Sequence, residues 1–397
     1  MKLSGILMLP GEADEPVRLA PGSLSIERGR ITDIEETTSG GGTGAGRLIC
    51  PAFTDTHLHL PQFDIIGAHG LGLLDWLNKV TFPAEMRWAD AGYAEAMTHR
   101  VIDQLFGVGT TGICAYATVH HESAMRAMGA VAERHMRGRI GQVLMDREAP
   151  PELIRPTEQL LEECRATLDT KLPGAVTPRF AVTSSEALLK GCGELAAEFG
   201  AYVQTHLSET VAECEFVRSR FGDDYVSVYE KAGLLGPRSI FGHGVHLDAR
   251  DRARLAESGS VIAHCPLANS FLMSGTMDRA ALLGDGVRIS LGSDIGGGYE
   301  RSMVRVGRAM IEAAAARSGV AIPAAQAWRQ ITAGNAGVGG WPDAGKLAVG
   351  AAADVLVIEP DVPWMDTADP LGTLMFAWDD RWLRQTIASG QVVYRAG

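Results

Sequence analysis

The chain is short of paired cysteines, of long apolar runs and of positive charge, and each shortage closes off a class of function. Its six cysteines (50, 114, 164, 192, 214 and 265) include no CxxC pair. Buried free thiols in a reducing compartment are therefore expected, rather than a disulfide framework or a thiolate metal knuckle. No stretch reaches the roughly 18 apolar residues of a membrane span. The opening MKLSGILMLPGEADEP has neither the length nor the small-residue cleavage site of a signal peptide, so the expectation is a cytoplasmic protein. Lys and Arg number 36 against 48 Asp and Glu, a net charge of -12, which argues against nucleic acid or an acidic membrane as main partner. The only low-complexity tract is SGGGTGAG (39–46). It reads as a surface turn and not a phosphate loop, because no GK[ST] follows it.

What is present is an alternation. From about residue 48, short apolar runs alternate with Ala/Glu/Arg-rich helical segments, the pattern of βα repeats around a parallel sheet. The strand candidates are RLICPAFTDTH, TTGICAYATV, RIGQVLMD, AVTPRFAV, AYVQTHLS, SIFGHGVHL, SVIAHCPLA and VRISLGSD. Helix candidates between them include GYAEAMTHRVIDQLF, SAMRAMGAVAERHM, SSEALLKGCGELAAEF and ETVAECEFVRSRF, several followed by the glycine that ends a helix. Eight strands in this length fit a (β/α)8 TIM-like barrel, with a doubly wound open sheet as the competing arrangement. Residues 1–50 and 340–397 read instead as short strands and turns. They are expected to join as a small composite β-sandwich domain that the barrel, residues 51–339, interrupts.

Polar residues gather at the C-terminal ends of the strand candidates. His57 and His59 end the first, His206 the fifth, His243 and His246 the sixth, His264 the seventh and Asp294 the eighth. In an extended segment, residues two apart share a face, so His57 and His59 point to the same spot. A barrel brings all these ends to one face, where the fold carries its chemistry. Each residue alone has a plain reading: a hydrogen-bonded strand-end histidine, or an aspartate capping a turn. Taken together they suit a metal, since three imidazoles and a carboxylate match zinc or iron(II) with a position left for water. Glu209, three residues after His206, is placed to move the proton of such a water; the plain alternative is an acidic residue in the first turn of the next helix. The residues alone therefore point to a metal-dependent hydrolase and say nothing of its substrate.

PAFTDTHLHL (51–60), His206, His243 and GSD (292–294) resemble the amidohydrolase superfamily. Within it the chain is similar to the guanine deaminase family through HLPQ (59–62), LLDWLNKVTFPAE (73–85), VLMDREAP (143–150), VTPRF (176–180), QTHLSE (204–209), GHGVHL (242–247), AHCPLAN (263–269) and GSDIGGGYERSM (292–303), in that order. The resemblance implies one zinc, or iron(II), held by His57, His59, His206 and Asp294. His243 would lie beside the metal and hydrogen-bond the water or substrate. It further implies a purine seated against Gln62, Trp76, Arg179 and Phe180, and a homodimer. Those side-chain types suit a neutral bicyclic base, although without the resemblance Trp76 and Phe180 would read as core and Arg179 as a salt bridge.

The reaction so implied is hydrolysis of guanine to xanthine and ammonia, with Glu209, His243 and Asp294 as proton carriers. Glu209 would protonate the ring nitrogen beside C2, water would add to C2, and the exocyclic amine would leave as ammonia. Two other readings compete with it. One is deamination of another 2-amino heterocycle, such as a pterin, 8-oxoguanine or a triazine. The other is a catalytically silent barrel used for binding, which predicts missing metal-binding residues.

Overall fold

The computed structural model describes the chain apart from residues 13–14 and 38–45, so the SGGGTGAG tract, save Gly46, lies outside the described residues. Strand Phe53–His59 pairs in parallel with Thr110–Tyr116, and that strand with Arg137–Gly141. Val143–Leu144 pairs with Thr177–Pro178, and single bridges at Ile140–Gly174 and Val176–Val203 carry the ladder onward. Val203–Leu207, Ser239–His243, Val261–His264 and Arg288–Leu291 follow in order, all parallel. The ring then closes. The Asp294 N–H donates to the His57 carbonyl and the His59 N–H to the Ile295 carbonyl, both at 2.8 Å. Thr56 Oγ1 donates to the Leu291 carbonyl at 2.9 Å. The chain is thus a (β/α)8 barrel and not an open sheet.

The barrel strands are buried on both faces, as parallel strands between a filled interior and an outer helical layer must be. Helices Ala91–Phe106, His121–Glu133, Glu186–Phe199 and Val211–Phe221 form part of that layer. Gly200 and Gly222 end two of them with φ of 56° and 70°, the left-handed conformation that stops a helix without a Cβ penalty. The fourth strand candidate shrinks to Thr177–Pro178, because Pro178 has no N–H to give the ladder. Among the described residues no helix is long and apolar enough to cross a membrane. No cysteine is disulfide-bonded, and Cys214 alone of the six is not fully buried.

The two flanks form one seven-stranded sheet. Lys2–Pro10 pairs antiparallel with Val17–Glu27, which turns back through Arg28 and Gly29, both at positive φ, into Arg30–Glu36. Two positive-φ residues in succession make the tight hairpin whose twist matches its strands. Leu48–Pro51 lies parallel to Lys2–Pro10 and antiparallel to Val355–Ile358, and Leu383–Ala388 and Gln391–Arg395 complete the sheet. Of the stretch GKLAVGAAADVLVIEP only Val355–Ile358 is strand; Gly345 and Gly350 at positive φ turn the rest. Where the sheet meets the barrel, Phe53, Trp328, Trp378 and Trp382 pack in a chain of tilted and edge-on rings with centroids 5.9–6.2 Å apart. That places much of the tryptophan of the chain at one seam.

Candidate metal centre and adjoining cavity

The C-terminal ends of the barrel strands bring His57, His59, His206 and Asp294 together, with one donor atom of each within 4.8 Å of the others. Asp294 Oδ1 lies 3.4 Å from His57 Nε2 and 3.3 Å from His59 Nε2, and His59 Nε2 is 3.1 Å from His206 Nε2. Donors held about 2.0–2.2 Å from one tetrahedral centre stand about 3.3–3.5 Å apart, so this spacing fits a shared ion. Both His57 ring nitrogens and His59 Nδ1 are buried without a hydrogen-bond partner. Such atoms are costly to bury unless something engages them. Packing around His57 leaves no slack: a Cβ on Gly242 would fall 2.5 Å from His57 Cε1.

Second partners set the tautomers. His206 Nδ1 donates to the Arg179 carbonyl at 2.6 Å, which leaves the Nε2 lone pair turned to the cluster. Asp55, also buried, accepts from the backbone N–H groups of His57 and Ser293 at 3.1 Å and from the Ser293 hydroxyl, clamping the first strand to the eighth. Burial holds His57 below its usual pKa, lowers His59 to about 4, and drives His206 well below the histidine range. All three are neutral donors near pH 7. Burial pushes Asp294 upward, but the close approach of the His57 and His59 rings outweighs it and holds the carboxyl well below its usual range, so it is ionised. Asp294 and His243 both adopt positive φ, 50° and 75°, each costing about 1–3 kcal/mol that the surrounding fold must offset.

Glu209 and His243 stand beside this cluster. Helix Val211–Phe221 is capped by Thr210, so Glu209 precedes the helix and its burial is not that of a first-turn surface acid. Glu209 Oε2 is 3.4 Å from His243 Nε2, and Oε1 accepts from Ser274 Oγ at 2.7 Å. Burial, then the charge of Asp294, raises the Glu209 carboxyl to about 8, with the Ser274 hydroxyl partly opposing. His243 Nδ1 donates to Asn269 Oδ1 at 2.8 Å, leaving Nε2 as an acceptor facing Glu209 and, at 3.9 Å, Asp294. His246 Nε2 donates to the Ser274 carbonyl at 2.9 Å and so steadies the loop that holds Glu209. His264 is buried with neither ring nitrogen paired, and burial lowers it to about 3.

A small cavity opens onto the cluster, and Gln62, Trp76, Arg179 and Phe180 all line it, with Leu73, Leu77 and Leu272 adding apolar wall. Trp76 and Leu77 arrive on helix Leu73–Trp76 and the π-helical turn Leu77–Thr81 that follows it. The sequence motifs alone do not single out Glu85, Asn269 or Ser274, although the quoted blocks contain the first two. A lone glutamate in a helical first turn, or an asparagine after a proline, carries no periodic signal. A silent barrel would lack donors; here every one of them converges.

The pattern described as the amidohydrolase family matches residues 48–393 of the chain. Guanine deaminase of Escherichia coli is 35% identical over 367 residues, 88% of this chain and 83% of that protein. Guanine deaminase of Dictyostelium discoideum is 36% identical over 276 residues, 67% of this chain and 61% of that one. Among solved structures, E. coli guanine deaminase superposes with a TM-score of 0.93 at 32% identity, covering 100% of both chains. The chain belongs to the amidohydrolase family. Within that family, the relatives just described are guanine deaminases.

Proposed function

We propose that the chain is a hydrolytic guanine deaminase, converting guanine and water to xanthine and ammonia. The observation that carries the reading is a buried carboxyl, Glu209, set between a three-histidine, one-aspartate cluster and a cavity lined by Gln62, Trp76, Arg179 and Phe180. Relatedness to guanine deaminases along most of the chain selects guanine among bases that would fit. In this reading His57, His59, His206 and Asp294 hold one zinc, with iron(II) as the other ion these donors accept. When bound, such an ion supplies Lewis acidity that makes water nucleophilic near neutral pH.

The remaining work falls to the chain itself. Phe180 and Trp76 confine the base between apolar faces, while Gln62 and Arg179 direct hydrogen-bonding atoms at its edge. Asp294, ionised, and His243, whose Nε2 is an acceptor, take the proton of the attacking water. Glu209 starts protonated and gives its proton to the ring nitrogen beside C2, which makes that carbon electrophilic. A C–O bond forms at C2. The proton taken from water then passes to the exocyclic amine, the C–N bond breaks to release ammonia, and the remaining C2 hydroxyl proton returns to Glu209 as the carbonyl forms. In this reading the enzyme is cytoplasmic, with residues 1–50 and 340–397 as one domain and 51–339 as the catalytic one, and the family resemblance supports a homodimer.

The test is ammonia release from guanine and from a pterin, 8-oxoguanine and a triazine, with metal content measured on the same sample. Guanine is expected to react fastest, with one zinc per chain. Faster release from another heterocycle overturns the choice of base, and no release from any of them overturns the reaction.

A further inference from the structure

Glu85 sits on helix Phe82–Met86, buried, and does not itself line the cavity. It nevertheless holds both polar groups that do so on that side. Gln62 Nε2 donates to Glu85 Oε1 at 3.0 Å, and Gln62 Oε1 accepts the Gly296 N–H at 3.2 Å. An amide flip would set Oε1 against a carboxylate oxygen and the NH2 group against an N–H, two buried repulsions at once. The carboxylate therefore fixes which way round Gln62 offers its remaining donor and lone pair.

The same carboxylate engages Arg179, whose Nη1 donates to Oε1 and Oε2, both at 2.7 Å. Among the described residues Nε and Nη2 of Arg179 have no protein partner, so the free edge of the guanidinium is left for a ligand. Its charge is already matched inside the site. The wall then presents donors without net positive charge, which suits a neutral lactam carbonyl and gives no premium to an anion.

The geometry points to Glu85 as a specificity-determining positioning residue: acting through Gln62 and Arg179, it sets the donor–acceptor order of the pocket and its preference for neutral over anionic purines. This role rests on the guanine deaminase reading. Its chemical consequence is specific. Xanthine ionises more readily than guanine, so an unmatched guanidinium would retain the product anion, whereas the Glu85–Arg179 pair lets it go.

The experiment compares the metal-loaded parent with Glu85→Gln and Glu85→Asp. It uses steady-state kinetics on guanine and competitive inhibition at a mildly alkaline pH, where xanthine is an anion and hypoxanthine is neutral. Glu85→Gln is expected to raise KM for guanine about tenfold or more, with kcat changed much less. It should also shift selectivity between the two inhibitors toward xanthine by about tenfold. Glu85→Asp, keeping the charge on a shorter arm, should raise KM while leaving inhibitor selectivity near that of the parent. A purely structural glutamate would lower melting temperature and active fraction with both ratios unmoved, and that result overturns the role. If Glu85→Gln does not fold, the Glu85→Asp pattern decides: an unchanged KM is fatal. Absence of guanine turnover in the parent overturns the functional reading, and the role with it, before any variant is compared.

Discussion

Glu209 and His243 face each other across 3.4 Å, and each is anchored from behind, Glu209 by Ser274 in a loop and His243 by Asn269 on helix Pro266–Phe271. Among the described residues neither anchoring side chain hydrogen-bonds His57, His59, His206 or Asp294. The pair is therefore held in place independently of whatever those donors bind, which separates proton transfer from metal affinity in an experiment.

Glu209→Gln should lower kcat for guanine by about 10²–10⁴-fold, because an amide cannot cycle a proton between water and base. Metal content should match that of the parent. Ammonia assays with metal analysis on one preparation check both halves, and near-normal turnover would remove Glu209 from the mechanism.

Asn269→Ala should cost about 10–100-fold in turnover through loss of the His243 tautomer, with metal stoichiometry intact. The variant is best read beside His206→Ala, which should lose metal and activity together. If Asn269→Ala instead loses the metal, His243 belongs among the ligands.

The Glu209 carboxyl, raised to about 8, also makes a statement about stability in the metal-free protein. Its folded pKa lies above the unfolded value near 4.5. Protonation thus favours the folded state, fully so below pH 4.5, and the advantage drains away as pH rises through about 8. Metal-free Glu209→Gln, spared this penalty, should be more stable than the parent above pH 8 by on the order of a few kcal/mol. Denaturant melts at pH 6 and 9 measure it; equal shifts at both pH values would contradict the assignment.

At the seam between sheet and barrel, Trp378→Ala should cost about 3–5 kcal/mol, since the ring contacts Trp328, Trp382 and Phe53 and its removal leaves a void. KM for guanine should not move, because none of these rings lines the cavity. A change in KM with unchanged stability would mean that the seam transmits to the site.

The barrel was legible because βα alternation survives in a single sequence, and the donor set because strand ends are predictable once the strands are. His57 and His59 needed only the two-residue period. Pro178 hid most of the fourth strand, whose pairing is completed by isolated bridges rather than a ladder. The anchors were less visible for a different reason. Glu85 meets Arg179 across 94 positions and Asn269 meets His243 across 26, so their meaning lies in pairings that no local pattern encodes.

The closure of the barrel has a consequence for the order of events in the life of the chain. Its first strand carries His57 and His59, its eighth leads into Asp294, and the Asp55–Ser293 clamp joins the two. Until the final strand docks, the cluster has no carboxylate and no closed wall, whatever the other strands have done. Completion of the four-donor cluster thereby waits on the docking of the eighth strand. A chain interrupted before residue 294 cannot trap metal in the full site, and a chain that has trapped it is one whose ring is complete.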